Sequence, residues 1–213
     1  MESTQPTRDR LLDAAERLFA EHGFDGASMR TITAEAGANL AAVNYHFGSK
    51  SALIHEVFAR RLAPMNVARL QLLDAVLEET AQRGEDRPTP RAVLRAFLAP
   101  ALSLGRQEGR EFFVLIARAH SSPHPELQAH VVNQFAEVAV RFGAALQLAL
   151  PSAAREDLFW SMHFTIGALC HTVVNTQLLT LMSEGLCTDD DEEAVLERLV
   201  AFVAAGMSGG CDS

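Results

Sequence analysis

Asn44, Tyr45 and His46, with Lys50 four residues on, place an amide, a phenol, an imidazole and an ammonium within one short stretch. These groups suit hydrogen bonding better than bond making. An Asn side chain can pair bidentately with the edge of adenine, while phenol, imidazole and ammonium donate to phosphate oxygens. Ala41 and Ala42 precede them, small enough to let a helix press into a DNA major groove. Other constellations carry less. His120, His124 and His130 could suggest a metal, but Pro123 and Pro125 interrupt any regular spacing and no Cys or carboxylate pattern completes a ligand set. A solvated loop is expected there. Thr188, followed by Asp189, Asp190, Asp191, Glu192 and Glu193, lacks the glycine and alternation of a calcium loop. It reads instead as an N-cap with acidic residues at the positive end of a helix. Gly48-Ser49-Lys50-Ser51 lacks the order of a phosphate loop, and no GxSxG or Cys–His arrangement is present. No enzyme, cofactor or metal is predicted.

The elements that must position Asn44 and its neighbours are legible in residues 28–50. Ser28 is a suitable N-cap, Ile32 and Ala36 share a face, and Gly37 supplies the stop. Asn39 caps the next helix, whose inward face is read as Leu40, Val43 and Phe47 and whose outward face is Ala41, Ala42, Asn44, Tyr45 and His46. Ser49 caps a further helix with Lys50 in its first turn. Spacing alone describes an ordinary helical hairpin equally well.

Upstream, residues 7–22 form an amphipathic helix, with Leu11, Leu12, Ala15, Leu18 and Phe19 on one stripe and Asp13, Glu16 and Arg17 among the residues opposite. Gly23 ends it, and Phe24 is expected to fold back onto Phe19 and Phe47. Downstream, Pro64 should kink or briefly break a long helix. Residues 82–90 form a linker, and Thr89 caps a helix with Pro90 at its first position. Helices follow at about 90–105, 107–120, 123–149, 152–184 and 190–207, with Pro100 disturbing the first. Nothing alternates with a period of two. The class is all-α: an N-terminal three-helix helix-turn-helix domain over residues 1–48, and a larger helical domain over 49–213 that begins with a linker helix.

Composition bounds the setting. The chain has 213 residues, 48% hydrophobic and 21% charged, enough for two cores. Its start is polar, without the apolar run of a signal peptide. Cys170, Cys187 and Cys211 are widely spaced, predicting a reducing cytoplasm. The net charge is −9, but residues 1–61 carry seven basic groups against eight acidic ones, so the acid lies mostly elsewhere. DNA binding would therefore rest on a local footprint. Residues 158–183 contain no Asp, Glu, Lys or Arg and could span a bilayer by length. His163, His171, Asn175 and Gln177 would be costly there, and positive flanks are missing. No membrane is expected. A helix buried on two sides is, with one side left for a second subunit.

LLDAAERLFAEHGFDGAS, the AEAG turn and NYHFGSK together resemble the DNA-binding domain of TetR-family transcriptional regulators, nearly continuously over residues 11–53. On that resemblance, DNA contacts are expected from Ser28, Arg30, Thr31, Asn39, Leu40, Ala41, Ala42, Asn44, Tyr45, His46 and Lys50. NLAAVNYHFGSKSALIHEVF, LFWSMHFTIGA and FVAAGM look like the PsrA-type branch, which includes regulators responsive to fatty acids. The resemblance implies a homodimer on a palindromic double-stranded operator, its last two helices forming an intersubunit four-helix bundle. It also implies a small-molecule effector, a fatty acid or acyl-CoA, in the C-terminal domain. The family often has tyrosine where this chain has Asn44, pointing that residue toward a base edge. Aromatic and aliphatic residues of the C-terminal part supply a candidate pocket, Phe97, Phe112, Phe113, Phe135, Phe159, Trp160, His163 and Ile166, although composition describes core and pocket alike. Leu158, Met162, Leu169, Val173, Leu199 and Phe202 are the candidate dimer interface. The rival readings are a repressor of the same type sensing an aromatic or drug-like molecule, a helical adaptor that retains no specific DNA, and an enzyme that turns over its ligand.

Overall fold

Apolar residues recur at helical spacing from Leu11 onward, and helix is what forms. The computed structural model describes residues 6–120 and 125–209, and among these there is no strand. The helices are α1 (Thr7–Gly26), α2 (Met29–Glu35), α3 (Leu40–Phe47), α4 (Lys50–Gln82), α5 (Pro90–Leu104), α6 (Arg110–His120), α7 (Pro125–Gln134), α8 (Ala136–Ala149), α9 (Arg155–Met182) and α10 (Glu192–Gly209). A π-helical turn, Gly105–Gly109, joins α5 to α6.

Packing divides the chain into two units, residues 1–63 with 111–134, and residues 64–110 with 135–213. In the first, Leu11, Leu12, Ala15, Phe19, Ile32, Val43, Leu53 and Phe58 are buried. The Phe24 ring folds back into the small core, tilted against Phe19 at 5.6 Å and Phe58 at 6.1 Å. Gly23, at φ 75°, is the residue that lets the chain turn there while helix resumes to Gly26. Phe112 of α6 meets Phe58 edge-on at 6.1 Å. In the second unit α10 packs against α5 and α9, and α8 against α5 and α9. Arg95 of α5 pairs with Glu193 at 2.7 Å and Glu197 at 2.5 Å of α10.

Several expectations are corrected. Glu16 is not on the solvent side of α1; it lies on the Leu12–Phe19 stripe and is 2% exposed. Its carboxylate is held by Arg60 at 2.5 Å and Arg61 at 3.2 Å, so the burial is compensated. Neither Pro64 nor Pro100 ends its helix: α4 and α5 run on past them, so the brief break allowed at Pro64 does not occur. The helix expected over 123–149 divides at Phe135, whose backbone (φ −101°, ψ 1°) leaves the helical region. α10 is capped by Asp191, which accepts from the Ala194 N–H at 3.1 Å; Thr188 lies a turn too early to reach those donors. The Ser122-Pro123 start and His124 lie outside the described residues, as do the side chains of His120 and His130 and Cys211. α9 is long and apolar enough to cross a membrane by length and composition alone. Thr165 within it is buried, its hydroxyl donating to the Ser161 carbonyl at 2.7 Å.

Candidate nucleic-acid interface

The reading helix α3 is fixed at both ends by its own sequence. Asn39 Oδ1 accepts from the Ala42 N–H at 2.8 Å, and Gly48 at φ 72° ends the helix. Before it, Ser28 and Thr31 form a reciprocal cap on α2. The Thr31 N–H donates to Ser28 Oγ at 3.1 Å and the Ser28 N–H to Thr31 Oγ1 at 3.0 Å. Gly37, at φ 58°, makes the turn between them, a conformation that disfavours any side chain with a Cβ. Ser49 Oγ then accepts from the Ala52 N–H at 3.1 Å, starting α4 beside Lys50.

Val43 and Phe47 anchor α3 to the core. That rotation turns Ala41, Asn44, Tyr45 and His46 outward and leaves Ala42 half-buried. Tyr45 is 85% exposed and meets His46 edge-on at 5.2 Å. Leu40, expected inward, is 44% exposed, because it stands at the first position of the helix, one turn ahead of the buried face. It joins the outward set. Ser28, Arg30, Thr31 and Asn39 are exposed as well, and Lys50 is half-buried. The DNA-binding candidates thus share one exposed helix–turn–helix.

Charge sharpens this surface. Arg8 pairs with Glu56 at 2.5 Å and its guanidinium lies over the Phe47 ring at 5.7 Å. Arg17 pairs with Glu35 at 2.8 Å. Arg60 bonds Asp13 and Glu16; burial would lower its pKa, but its hydrogen bonds to Glu16 and Asp13 raise it on balance. Arg30 and Lys50 form no ion pair among the described residues. Two of the cations left over therefore stand on α2 and at the start of α4, flanking α3, while Arg10 on α1 donates to Thr7 Oγ1 at 3.3 Å. The Glu16 cluster, which ties α1 to α4, was missed from sequence, although its position on the apolar stripe of α1 is a readable signal.

These features match known proteins. Residues 11–57 match the family described as bacterial regulatory proteins, TetR family, and residues 95–206, more than half the chain, match the tetracyclin repressor-like C-terminal domain. The chain belongs to the TetR family. It carries the family's N-terminal domain, and the curated relatives it matches are transcriptional regulators. It is 43% identical over 53 residues to the HTH-type transcriptional regulator UidR of Escherichia coli K12, covering 25% of this chain and 27% of UidR. It is 40% identical over 47 residues to the HTH-type transcriptional repressor AcnR of Corynebacterium efficiens, covering 22% of this chain and 25% of AcnR. The matched segment thus spans about a quarter of each curated relative's length. The fold is shared with the fatty acid degradation regulator FadR from Bacillus halodurans, at TM-score 0.63 and 15% identity, covering 96% of this chain and 98% of that one.

The other predicted sets of this TetR-family chain are placed less simply. Phe112 and Phe113 are buried in the first unit, 5.7 Å apart, with Phe112 edge-on to Phe58. Phe97 is buried in the second, edge-on to Phe142 at 5.3 Å, with Phe135 half-buried and Ile166 likewise. Phe159, Trp160 and His163 are exposed and are corrected as interior pocket walls. The buried face of α9 is Leu158, Thr165 and Leu169, and Trp160, two residues past Leu158, is turned about 200° away from it. With Arg155 and Glu156 they line an open surface groove. The dimer set divides too. Leu158, Leu169 and Leu199 are buried under their own chain. Val173 packs against Gly105, where a Cβ would approach Val173 Cγ1 to 2.4 Å. Met162 is half-buried, and Phe202 is 72% exposed.

Proposed function

We propose that this protein is a cytoplasmic, ligand-released homodimeric repressor that binds a palindromic operator. Residues 1–48 read the DNA, and residues 49–213 hold the effector and the partner subunit. The observation that carries this is α3, anchored by Val43 and Phe47 and offering Asn44, Tyr45 and His46 outward, with Arg30 and Lys50, which form no ion pair among the described residues, on its flanks. Asn44 reads a base edge; Tyr45, His46 and Lys50 hold phosphates. The AcnR name supports repression.

Dimerisation is supported by the open apolar face of α9 and α10. Trp160 is 54% exposed and Phe164 64%, their rings stacked at 5.7 Å, and Phe202 lies exposed on α10. A monomer rarely leaves such a band in water. A two-fold pairing through it sets the two reading helices about 34–36 Å apart, or a multiple of that, along the DNA. The effector is read as a fatty acid or its acyl-CoA ester, from the PsrA-type resemblance and the apolar interior around Phe97 and Phe142.

Selection of genomic fragments on the purified protein tests the reading. The expected result is retention of a few fragments carrying an inverted repeat, released by acids or acyl-CoAs of eight to eighteen carbons. Failure to retain any specific fragment would overturn DNA regulation. Retention without release by those ligands would overturn the effector class and leave an aromatic effector as the replacement.

A further inference from the structure

Arg69 is the one charged side chain of the second unit that is both buried and faced only by neutral partners among the described residues. It lies on α4 at helical spacing between Met65 and Leu73, both buried, and is itself 2% exposed. Its Nε donates to the Phe97 carbonyl at 2.8 Å and its Nη1 to Asn66 Oδ1 at 3.3 Å. The guanidinium lies 4.1 Å from the Phe97 ring centroid and 5.8 Å from that of Phe135.

Four other arginines of this unit meet carboxylates across contacts between elements. Arg91 and Arg95 meet Glu193 and Glu197, Arg106 meets Glu192, and Arg141 meets Asp74. A buried cation without an anion is costly, and rings and carbonyls only partly offset the loss of water. Burial pushes the Arg69 pKa down to about 9, still above neutral pH, so the side chain carries its charge. Cys170, whose field acts on Arg69, has its thiol pKa pushed up by burial and is neutral, so it supplies no counter-charge.

We propose that Arg69 is the charge partner of a monoanionic carboxylate on the effector, with Asn66 beside it and Phe97 and Phe135 against the ligand's apolar body. A guanidinium fork matches a carboxylate in shape and charge. One cation neutralises one negative charge. A phosphate dianion or the head of a coenzyme A ester would leave further charge uncompensated in this apolar interior. The inference rests on the effector-controlled reading above and narrows it, from acids or their CoA esters to the free acid.

The test uses the full-length protein with matched probes: octanoate, dodecanoate and 2-naphthoate, each beside its neutral primary amide. Binding is followed by calorimetry and by thermal melting. Wild type should bind at least one acid about tenfold or more tightly over its amide, in keeping with the strength of charge-assisted hydrogen bonds. Arg69→Met should bind acid and amide alike, and Arg69→Lys should keep part of the preference. Without ligand, Arg69→Met should melt no lower than wild type, which a purely structural arginine would not allow. The assignment is overturned if wild type binds none of the acids, if amides bind as well as acids, or if Arg69→Met retains the preference. Operator retention, measured in parallel, separates the two readings. Acids that bind through Arg69 without releasing DNA would uphold the carboxylate site and sink ligand-controlled repression.

Discussion

The two units settle charge and exposure in opposite ways. The first pairs its buried charge internally, Glu16 with Arg60 and Arg61, and turns polar groups outward on α3. The second buries Arg69 without a carboxylate and turns Trp160, Phe164 and Phe202 outward. Each unit is left incomplete in the way its proposed partner would complete. A polar, cation-flanked helix suits DNA. An apolar band suits a second copy of itself, and a lone internal cation suits an anion. Buried charge therefore has to be read with its partners: a compensated one positions helices, and an uncompensated one points to something not yet bound.

The largest effect that would break this contrast is at Glu16. Glu16→Ala leaves Arg60 and Arg61 without their shared carboxylate, and removing one partner of such a buried cluster costs about 3–5 kcal/mol. Urea unfolding should show that loss; a change under about 1 kcal/mol would mean the cluster does not hold α1 to α4. Next is the apolar band. Phe164→Glu should give monomers by sedimentation, since each buried phenylalanine contributes about 1.5–3 kcal/mol and a two-fold interface counts it twice. Monomers that still bind the operator at full affinity would separate dimerisation from DNA reading. Leu169→Asp is the contrasting control: Leu169 is buried in its own chain, so it should unfold the second unit and not merely part a dimer.

Smaller effects sharpen the comparison. Asn44→Ala should relax preference at one position per half-site, worth about 1–3 kcal/mol of discrimination. Its stability should stay within about 0.5 kcal/mol of wild type because the side chain is exposed. An unchanged selected consensus would remove Asn44 from base reading. Lys50→Ala should instead weaken all sequences alike and flatten the salt dependence. Arg69→Met is expected to melt no lower than wild type, since replacing a buried charge by an apolar side chain of similar volume is often neutral or stabilising. Set beside Glu16→Ala, that pair of melting curves tests directly whether the two buried charges serve different ends.

Sequence alone determined the all-α class, the caps at Ser28, Asn39, Ser49 and Thr89, the turn at Gly37 and the outward Ala41, Asn44, Tyr45 and His46 of α3, though not the exposure of Leu40. Each of these depends on groups within four or five residues of one another, so local chemistry fixes them. The start of α10 was misread for the same local reason, since two competing caps lie three residues apart and only the first bonded N–H chooses Asp191. Tertiary structure decided the rest. Apolar stripes read inward wherever they occur, but α9 carries apolar residues around most of its circumference, so only its packing with α5, α8 and α10 shows that Leu158 and Leu169 face in and Trp160 and Phe164 face out. The same holds for the two buried charges. Glu16 and Arg69 each sit at core spacing on an amphipathic helix, but whether such a charge is answered depends on residues dozens of positions away, Arg60 in one case and the Phe97 carbonyl with the Phe97 and Phe135 rings in the other. Periodicity carries the position of a side chain around its own helix; it holds no information about what the opposing helix presents.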